Sequence, residues 1–383
     1  MNPSLIWIAA ALFTWGIGEG MFYMFQPFYL TELGANPVTI GYILGGAGLA
    51  MMIAHVPAGY LSDRIGRRPM LITAWIFGVT STWIMALAPS LPFFVAGLLL
   101  YGVTAFVSSP LNSYITTARG SWSVGRALTL SSATFNLGMV LGPFTGGWIG
   151  QHYGLRSVYF VAGVLFLFSS GFVFLIAPQA RERHDPTAPG TGLLNNRRYL
   201  GFLALGWVVV LAMYLPQPFT PKFLQDVRGL SLEQIGLLGA IGGLGNTVIT
   251  FLIGFFDARL GFILSQVSVG LYSGIIWKMN GYGWFASAYF LLGGYRAARS
   301  LFMAQIRPLV KQSQMGLAYG IAESVLGFTS IIAPVIAGFL YQQDKGSIFP
   351  LAFFSILTVI MISFFFAPRS IHEELPLRPE TME

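Results

Sequence analysis

Gly59-Tyr60-Leu61-Ser62-Asp63-Arg64-Ile65-Gly66-Arg67-Arg68 sets one carboxylate and three guanidiniums in a short, glycine-bracketed stretch. Long apolar runs flank it, at about 38–62 and 69–88. Such runs are driven out of water, and such a turn is driven out of hydrocarbon. The stretch therefore reads as a tight loop between two membrane-crossing helices.

The rest of the chain keeps the same division. Of its 383 residues 55% are hydrophobic and only 9% are charged, whereas a soluble domain carries about a quarter charged residues. The mean hydropathy is +0.69, so the chain cannot cover a water-facing surface. A net charge of +7 and a pI near 9.6 would suit a nucleic-acid ligand. The charges, however, lie in short loops between apolar runs and form no basic face, which excludes that class. Cysteine is absent, which removes disulfides, thiolate metal sites and cysteine nucleophiles. The first apolar run starts at about Leu5, without a basic leader. It is too long for a cleaved signal and reads as an uncleaved first span.

Twelve runs reach the roughly 20 apolar residues that a bilayer demands. They lie near 5–31, 38–62, 69–88, 91–116, 125–151, 156–177, 199–224, 232–255, 261–278, 282–306, 316–341 and 346–367. The longest polar connection is 178–198, rich in proline and glycine, and it divides the runs into six and six. The predicted organisation is a first six-helix bundle at 1–177, a cytoplasmic linker at 178–198, a second bundle at 199–367 and a cytoplasmic tail at 368–383.

Arginine and lysine are unevenly shared between the two sides. With the N-terminus inside, the inner loops and tail hold fourteen of them and the outer loops and helix ends five, leaving Arg296 and Arg299 within a run. The bias puts both termini in the cytoplasm. The halves also repeat. Gln26-Pro27-Phe28 recurs as Gln217-Pro218-Phe219, and Gly142-Pro143 with Gly146-Gly147 recurs as Ala333-Pro334 with Ala337-Gly338, both at an offset of 191. Gly59 and Gly66 recur as Gly254 and Gly261, with Arg259 in the place of Arg64.

The pattern Gly-x-Leu-x-Asp-Arg-x-Gly-Arg-Arg closely resembles the cytoplasmic loop between helices 2 and 3 of major facilitator superfamily transporters. Parallel six-helix halves with weak internal similarity fit the same family, and the resemblance runs from about 5 to 367. It implies an all-α integral membrane fold of 12 transmembrane helices in two pseudosymmetric six-helix bundles, with helices 1, 4, 7 and 10 around a central cavity. It further implies a multi-pass transporter of the cell (inner or plasma) membrane that works as a monomer. Such a transporter moves a small molecule, commonly with protons, and needs no cofactor or metal.

By the same resemblance the cluster Gly59, Asp63, Arg64, Gly66, Arg67 and Arg68 latches the halves in an outward-facing state. The glycines permit close packing and a tight turn, and Asp63 can pair with arginines and a helix N-terminus. The plainer alternative is a positive-inside anchor. The second-half copy has Ala258 where Asp63 stands, which implies an asymmetric gate. In the fifth run, Gly138, Gly142, Pro143, Gly146 and Gly147 resemble a motif frequent in drug–proton antiporters. Small residues at this spacing also serve generic close packing. Leu98 stands where proton-coupled exporters of the family carry a helix 4 arginine, a departure that bears on the usual coupling route.

Four ionisable residues lie well inside runs: Glu19, Arg296, Arg299 and Glu323. A charge in hydrocarbon is costly and marks a functional position or a partner. Glu19, Tyr23 and Gln26 share one face of run 1. At about 1.5 Å per residue, Arg299 and Glu323 are each roughly 10 Å above the inner helix ends, which predicts a salt bridge between runs 10 and 11. Arg296, roughly 15 Å up, and Glu19, roughly 21 Å up, have no level partner and are the candidates for cargo or a proton. Arginine's fork suits two oxygens of an anion, and a desolvated glutamate can carry a proton. Asn112, Ser132, Asn136, Tyr214, Gln217, Asn246 and Tyr295 could line the cavity or serve as interhelical glue. Phe22, Phe25 and Trp207 could form an aromatic wall. His55 reads as a packed helix-end residue.

No phosphate loop, zinc-ligand spacing or nucleophile elbow occurs, so the sequence does not read as an enzyme. The preferred reading is proton-coupled export of a small amphipathic molecule by alternating access. Uptake of a small organic anion with protons is the alternative, favoured by Arg296 and Arg299. A receptor on the same fold would usually carry a long soluble tail or loop. A channel is disfavoured by the two-bundle pattern.

Overall fold

The computed structural model describes residues 2–179, 193–310 and 315–367, with side chains placed for all of these except 55–64, 125, 194, 316 and 317. Among the described residues no strand occurs. The helices are α1 (Pro3–Tyr23), α2 (Gln26–Glu32), α3 (Pro37–Ile65), α4 (Arg67–Leu87), α5 (Leu91–Val103), α6 (Ser108–Ala118), α7 (Val124–Tyr153), α8 (Leu155–Phe174) and α9 (Arg197–Tyr214). They continue with α10 (Thr220–Asp226), α11 (Leu232–Ile253), α12 (Ala258–Lys278), α13 (Tyr282–Leu291), α14 (Gly294–Ala304), α15 (Met315–Gly327), α16 (Thr329–Gln343) and α17 (Ile348–Phe366). Eleven helical segments among the described residues are long and apolar enough to cross a membrane. The remaining run, 282–306, is present as the shorter pair α13 and α14, of 10 and 11 residues.

Prolines explain most of the interruptions. A proline lacks an N–H, and its ring collides with the carbonyl four residues earlier. Pro27 acts on Tyr23, the last residue of α1, and Pro218 acts on Tyr214, the last residue of α9. Pro110 acts on Phe106, within the 3₁₀ stretch Thr104–Val107 that joins α5 to α6. The repeat therefore breaks runs 1 and 7 at the same register. Runs 4 and 10 are broken too, the latter at Leu292–Gly293 without a proline. Discontinuous helices place free backbone groups beside a cavity, where water or ligand can meet them.

Glycine seams set how closely the helices approach. On one face of α7, Gly138, Gly142 and Gly146 press on α1; a Cβ at Gly146 would stand 2.2 Å from the Met21 carbonyl oxygen. The neighbouring face of α7 meets α11, where a Cβ at Gly147 would stand 2.5 Å from the Leu232 oxygen. The second seam joins α3 to α16, where a Cβ at Gly41 would stand 2.5 Å from the Pro334 oxygen. Gln151 accepts from Leu232 N at 3.1 Å and Gln342 accepts from Val38 N at 3.4 Å. The α7–α11 and α3–α16 seams join the first eight helices to the last nine, and these contacts lie toward the end away from the 59–68 loop.

At the loop itself Gly66 turns the chain between α3 and α4 with φ +99°, a conformation open to glycine and strained for other residues. Arg68 donates to the Phe174 carbonyl at 3.0 Å, at the electronegative C-terminus of α8. Arg67 donates to Thr117 Oγ1 at 2.5 Å and to Gln179 Oε1 at 3.4 Å. The second half reuses the device: Arg259 donates to the Phe364 carbonyl near the end of α17.

Candidate functional site

A central cavity of about 700 Å³ lies among the broken helices, on the loop side of the two seams. It extends from Pro221 at the head of α10 to Ile115 in α6. Glu19, Tyr23, Gln26, Asn112 and Gln217 all line it, as do Ser132 and Tyr214. Gln26 and Gln217, mates in the repeat, sit at the matching breaks of runs 1 and 7. Among the described lining residues Glu19 is the only charged one.

Glu19 is held by aromatic residues. Trp15, one turn earlier on α1, donates its Nε1–H to Glu19 Oε2 at 3.1 Å, and the Tyr101 side chain lies beside the same carboxylate. The indole cannot turn away. It stacks on Phe166 at 3.9 Å and 4°, and meets Trp75 edge-on at 5.2 Å. Its far edge fits only because residue 78 is glycine: a Cβ there would stand 2.0 Å from Trp15 Cη2. Trp75 in turn donates to Ser169 Oγ at 2.8 Å. A carboxylate with a fixed donor and aromatic faces around it can attract a cation through its charge and through the ring quadrupoles.

The opposite wall is neutral. Tyr214 faces Tyr23 across the two sets of helices and stacks on Tyr295 at 5.6 Å and 27°. Gln217 uses its amide N–H to cap the Met213 carbonyl at 3.0 Å. Tyr272 and Tyr289 complete this side.

The remaining sequence candidates are placed elsewhere. Arg299 and Glu323 do form the ion pair that the depth argument predicts, at 2.7 Å, but outside the cavity lining. Arg296 is exposed and is not among the lining residues, although it lies within electrostatic reach of Glu19 and Tyr23. Asn136 turns back on its own helix, donating to the Ser132 carbonyl at 2.8 Å. Asn246 and Trp207 do not line the cavity. Phe22 and Phe25 are buried in the core, at 0% and 1% exposure, instead of walling it. Leu98 lines the cavity as an apolar side chain. The side chains of His55, Gly59, Asp63 and Arg64 lie outside the described residues. Trp15, Trp75, Tyr101, Tyr272 and Tyr289 are cavity-wall residues that sequence reasoning did not single out. Only Trp15 carried a signal, its i, i+4 spacing to Glu19.

A family model described as Major Facilitator Superfamily matches residues 6–298. An uncharacterized MFS-type transporter of Methanocaldococcus jannaschii is 29% identical over 43% of this chain and 42% of its own length. The multi-drug resistance efflux pump PmrA of Streptococcus pneumoniae is 26% identical over 62% of this chain and 65% of its own. The chain thus spans less than two thirds of these two relatives. The class C tetracycline resistance protein of Escherichia coli is 23% identical over 80% and 81%. In fold, a mutant of the nucleoside transporter NupG superposes with a TM-score of 0.83 at 13% identity, covering 95% of this chain and 98% of that one.

Proposed function

The chain belongs to the Major Facilitator Superfamily, and on that premise we propose that it exports small amphipathic molecules, cations foremost, in exchange for protons. The observation that carries this reading is the single carboxylate of the cavity, Glu19, oriented by Trp15 among aromatic walls. A cation and a proton would compete for that carboxylate, and mutual exclusion at one group is the simplest basis of antiport. The relatives named for drug and tetracycline resistance support the same class of cargo.

In this proposal two halves, 1–177 and 199–367, rock about the cavity, with 178–198 as linker and both termini cytoplasmic. The α7–α11 and α3–α16 seams would part, and Asp63 with Arg64, Arg67 and Arg68 would latch the opposite end. The cargo shifts this equilibrium only through its different affinity for the two states. The α7 glycine stripe keeps α1, which bears Glu19, in register with α7, which bears one seam. A second reading, uptake of a small organic anion with protons, draws on Arg296 and its reach to Glu19.

Proteoliposome exchange of tetraphenylphosphonium under an imposed pH gradient tests the choice. Wild-type protein should exchange it, and Glu19→Gln should lose the response to the gradient. A gradient response that survives Glu19→Gln refutes the role of Glu19. Flux of organic anions instead, lost in Arg296→Ala, would install the second reading.

A further inference from the structure

We propose that the neutral wall holds a subsite for a hydrogen-bond acceptor on the cargo, with the Tyr289 hydroxyl as its donor. The inference rests on the cation-export reading and deepens it. Tyr289 lies on α13, lines the cavity and is only 2% exposed. Its hydroxyl is buried and has no hydrogen-bond partner among the described residues.

The nearest phenol, Tyr272, is not paired with it. Tyr272 meets the Tyr289 ring at 6.2 Å and 82°, and its own hydroxyl donates to Thr220 Oγ1 at 2.6 Å. Thr220 donates onward to the Pro216 carbonyl at 2.7 Å, at the break between α9 and α10. The relay ends at that carbonyl and does not include Tyr289. Buried polar groups are nearly always satisfied, and an orphan calls for an explanation such as a ligand. Leaving it unpaired costs free energy that a cargo acceptor would recover on binding.

The two walls then ask for different things of one molecule. The Glu19 wall asks for a positive charge on an aromatic or apolar body. The Tyr289 wall asks for a neutral acceptor, such as an ether or carbonyl oxygen, at the other end. The cargo class is therefore an amphipathic monocation carrying such an oxygen.

The test uses a matched pair of cations, butyltriphenylphosphonium and (2-methoxyethyl)triphenylphosphonium, which differ by one methylene against one ether oxygen. Exchange of each is measured in proteoliposomes holding the full chain, as wild type, Tyr289→Phe and Tyr272→Phe. Tyr289→Phe keeps the ring and should raise the KM of the methoxyethyl probe roughly three- to tenfold, as loss of one neutral hydrogen bond does, while leaving the butyl probe unmoved. Tyr272→Phe should leave the ratio of the two KM values at its wild-type value. Equal effects of Tyr289→Phe on both probes, or none on either, would overturn the subsite while leaving cation export intact. The same holds if Tyr272→Phe reproduces the discrimination. A wild-type protein that carries neither probe overturns both readings.

Discussion

The two walls of the cavity descend from one repeat, and they handle charge in opposite ways. The first-half wall admits a carboxylate and fixes it with an indole N–H and a stack of rings. The second half contributes no charged side chain to the described lining, whose polar groups there include tyrosines and Gln217. Glu323 is paired with Arg299 at 2.7 Å, and Arg296 stands outside the lining but within electrostatic reach of Glu19. In the proposed reading the repeat is divided into a half that would sense charge and a half that would offer neutral hydrogen bonds. The charged wall is closely packed behind its indole, where a Cβ at Gly78 would stand 2.0 Å from Trp15 Cη2.

That tightness gives the largest expected effect. Gly78→Val would drive a Cβ to within 2.0 Å of Trp15 Cη2, and the indole is pinned by Phe166 and Trp75. Overpacking of this kind costs about 1–3 kcal/mol. Thermal unfolding in detergent should fall by several degrees, and cation exchange should drop more than tenfold as Trp15 leaves Glu19. A glycine change beside the neutral wall, Gly242→Ala, meets nothing closer than 3.4 Å. It should leave exchange unchanged and stability equal or higher, since alanine favours a helix by about 1 kcal/mol over glycine. Equal damage from both would erase the difference between the walls.

Trp15→Phe keeps a ring beside Phe166, removes the donor and gives up the contact of the indole's far edge with Gly78. A hydrogen bond to a charged group is worth about 1.5–3 kcal/mol, so kcat/KM for a cation should fall about tenfold or more with no loss of folded protein. An unchanged kcat/KM would mean that the indole only fills space.

Much of this was legible in the sequence. The runs and the offset of 191 were legible. The stretches 5–31 and 199–224, however, read as single spans and the matching breaks were missed, although a proline's effect on the carbonyl four residues back is local. The Arg299–Glu323 pair followed from helix rise alone. The walls were harder to read. Tyr272 and Tyr289 look like any aromatic in an apolar run, and only tertiary packing decides that one hydroxyl is committed and the other is not. Phe22 and Phe25 flank the polar stripe in sequence, yet both are packed into the core. Asn136 was a fair candidate on its run, but its amide found a carbonyl one turn back, an option open to any helical asparagine.

Charge can also be moved between the walls. Gln217 is the repeat mate of Gln26 and lines the neutral side. Gln217→Glu in a Glu19→Gln background should restore part of the gradient-driven exchange, to within a few-fold of wild type, if any carboxylate in the cavity suffices. No restoration would show that the aromatic cradle of Glu19, and not charge alone, makes the site.

The smallest effect belongs to the pair that the second half keeps outside. The Arg299 and Glu323 side chains are 35% and 58% exposed, and a pair that open contributes about 0–1 kcal/mol. Glu323→Gln should therefore shift unfolding by a degree or two and leave exchange within twofold. The outcome is sharper than its size suggests. Tyr295 lies against Arg299 and stacks on Tyr214, which faces Tyr23 across the cavity, so a connected route to the charged wall exists. If Glu323→Gln were to abolish the pH dependence of exchange with the fold intact, that route would be part of the coupling. The second half would then sense charge as well, through a chain of tyrosines in place of a carboxylate in the cavity.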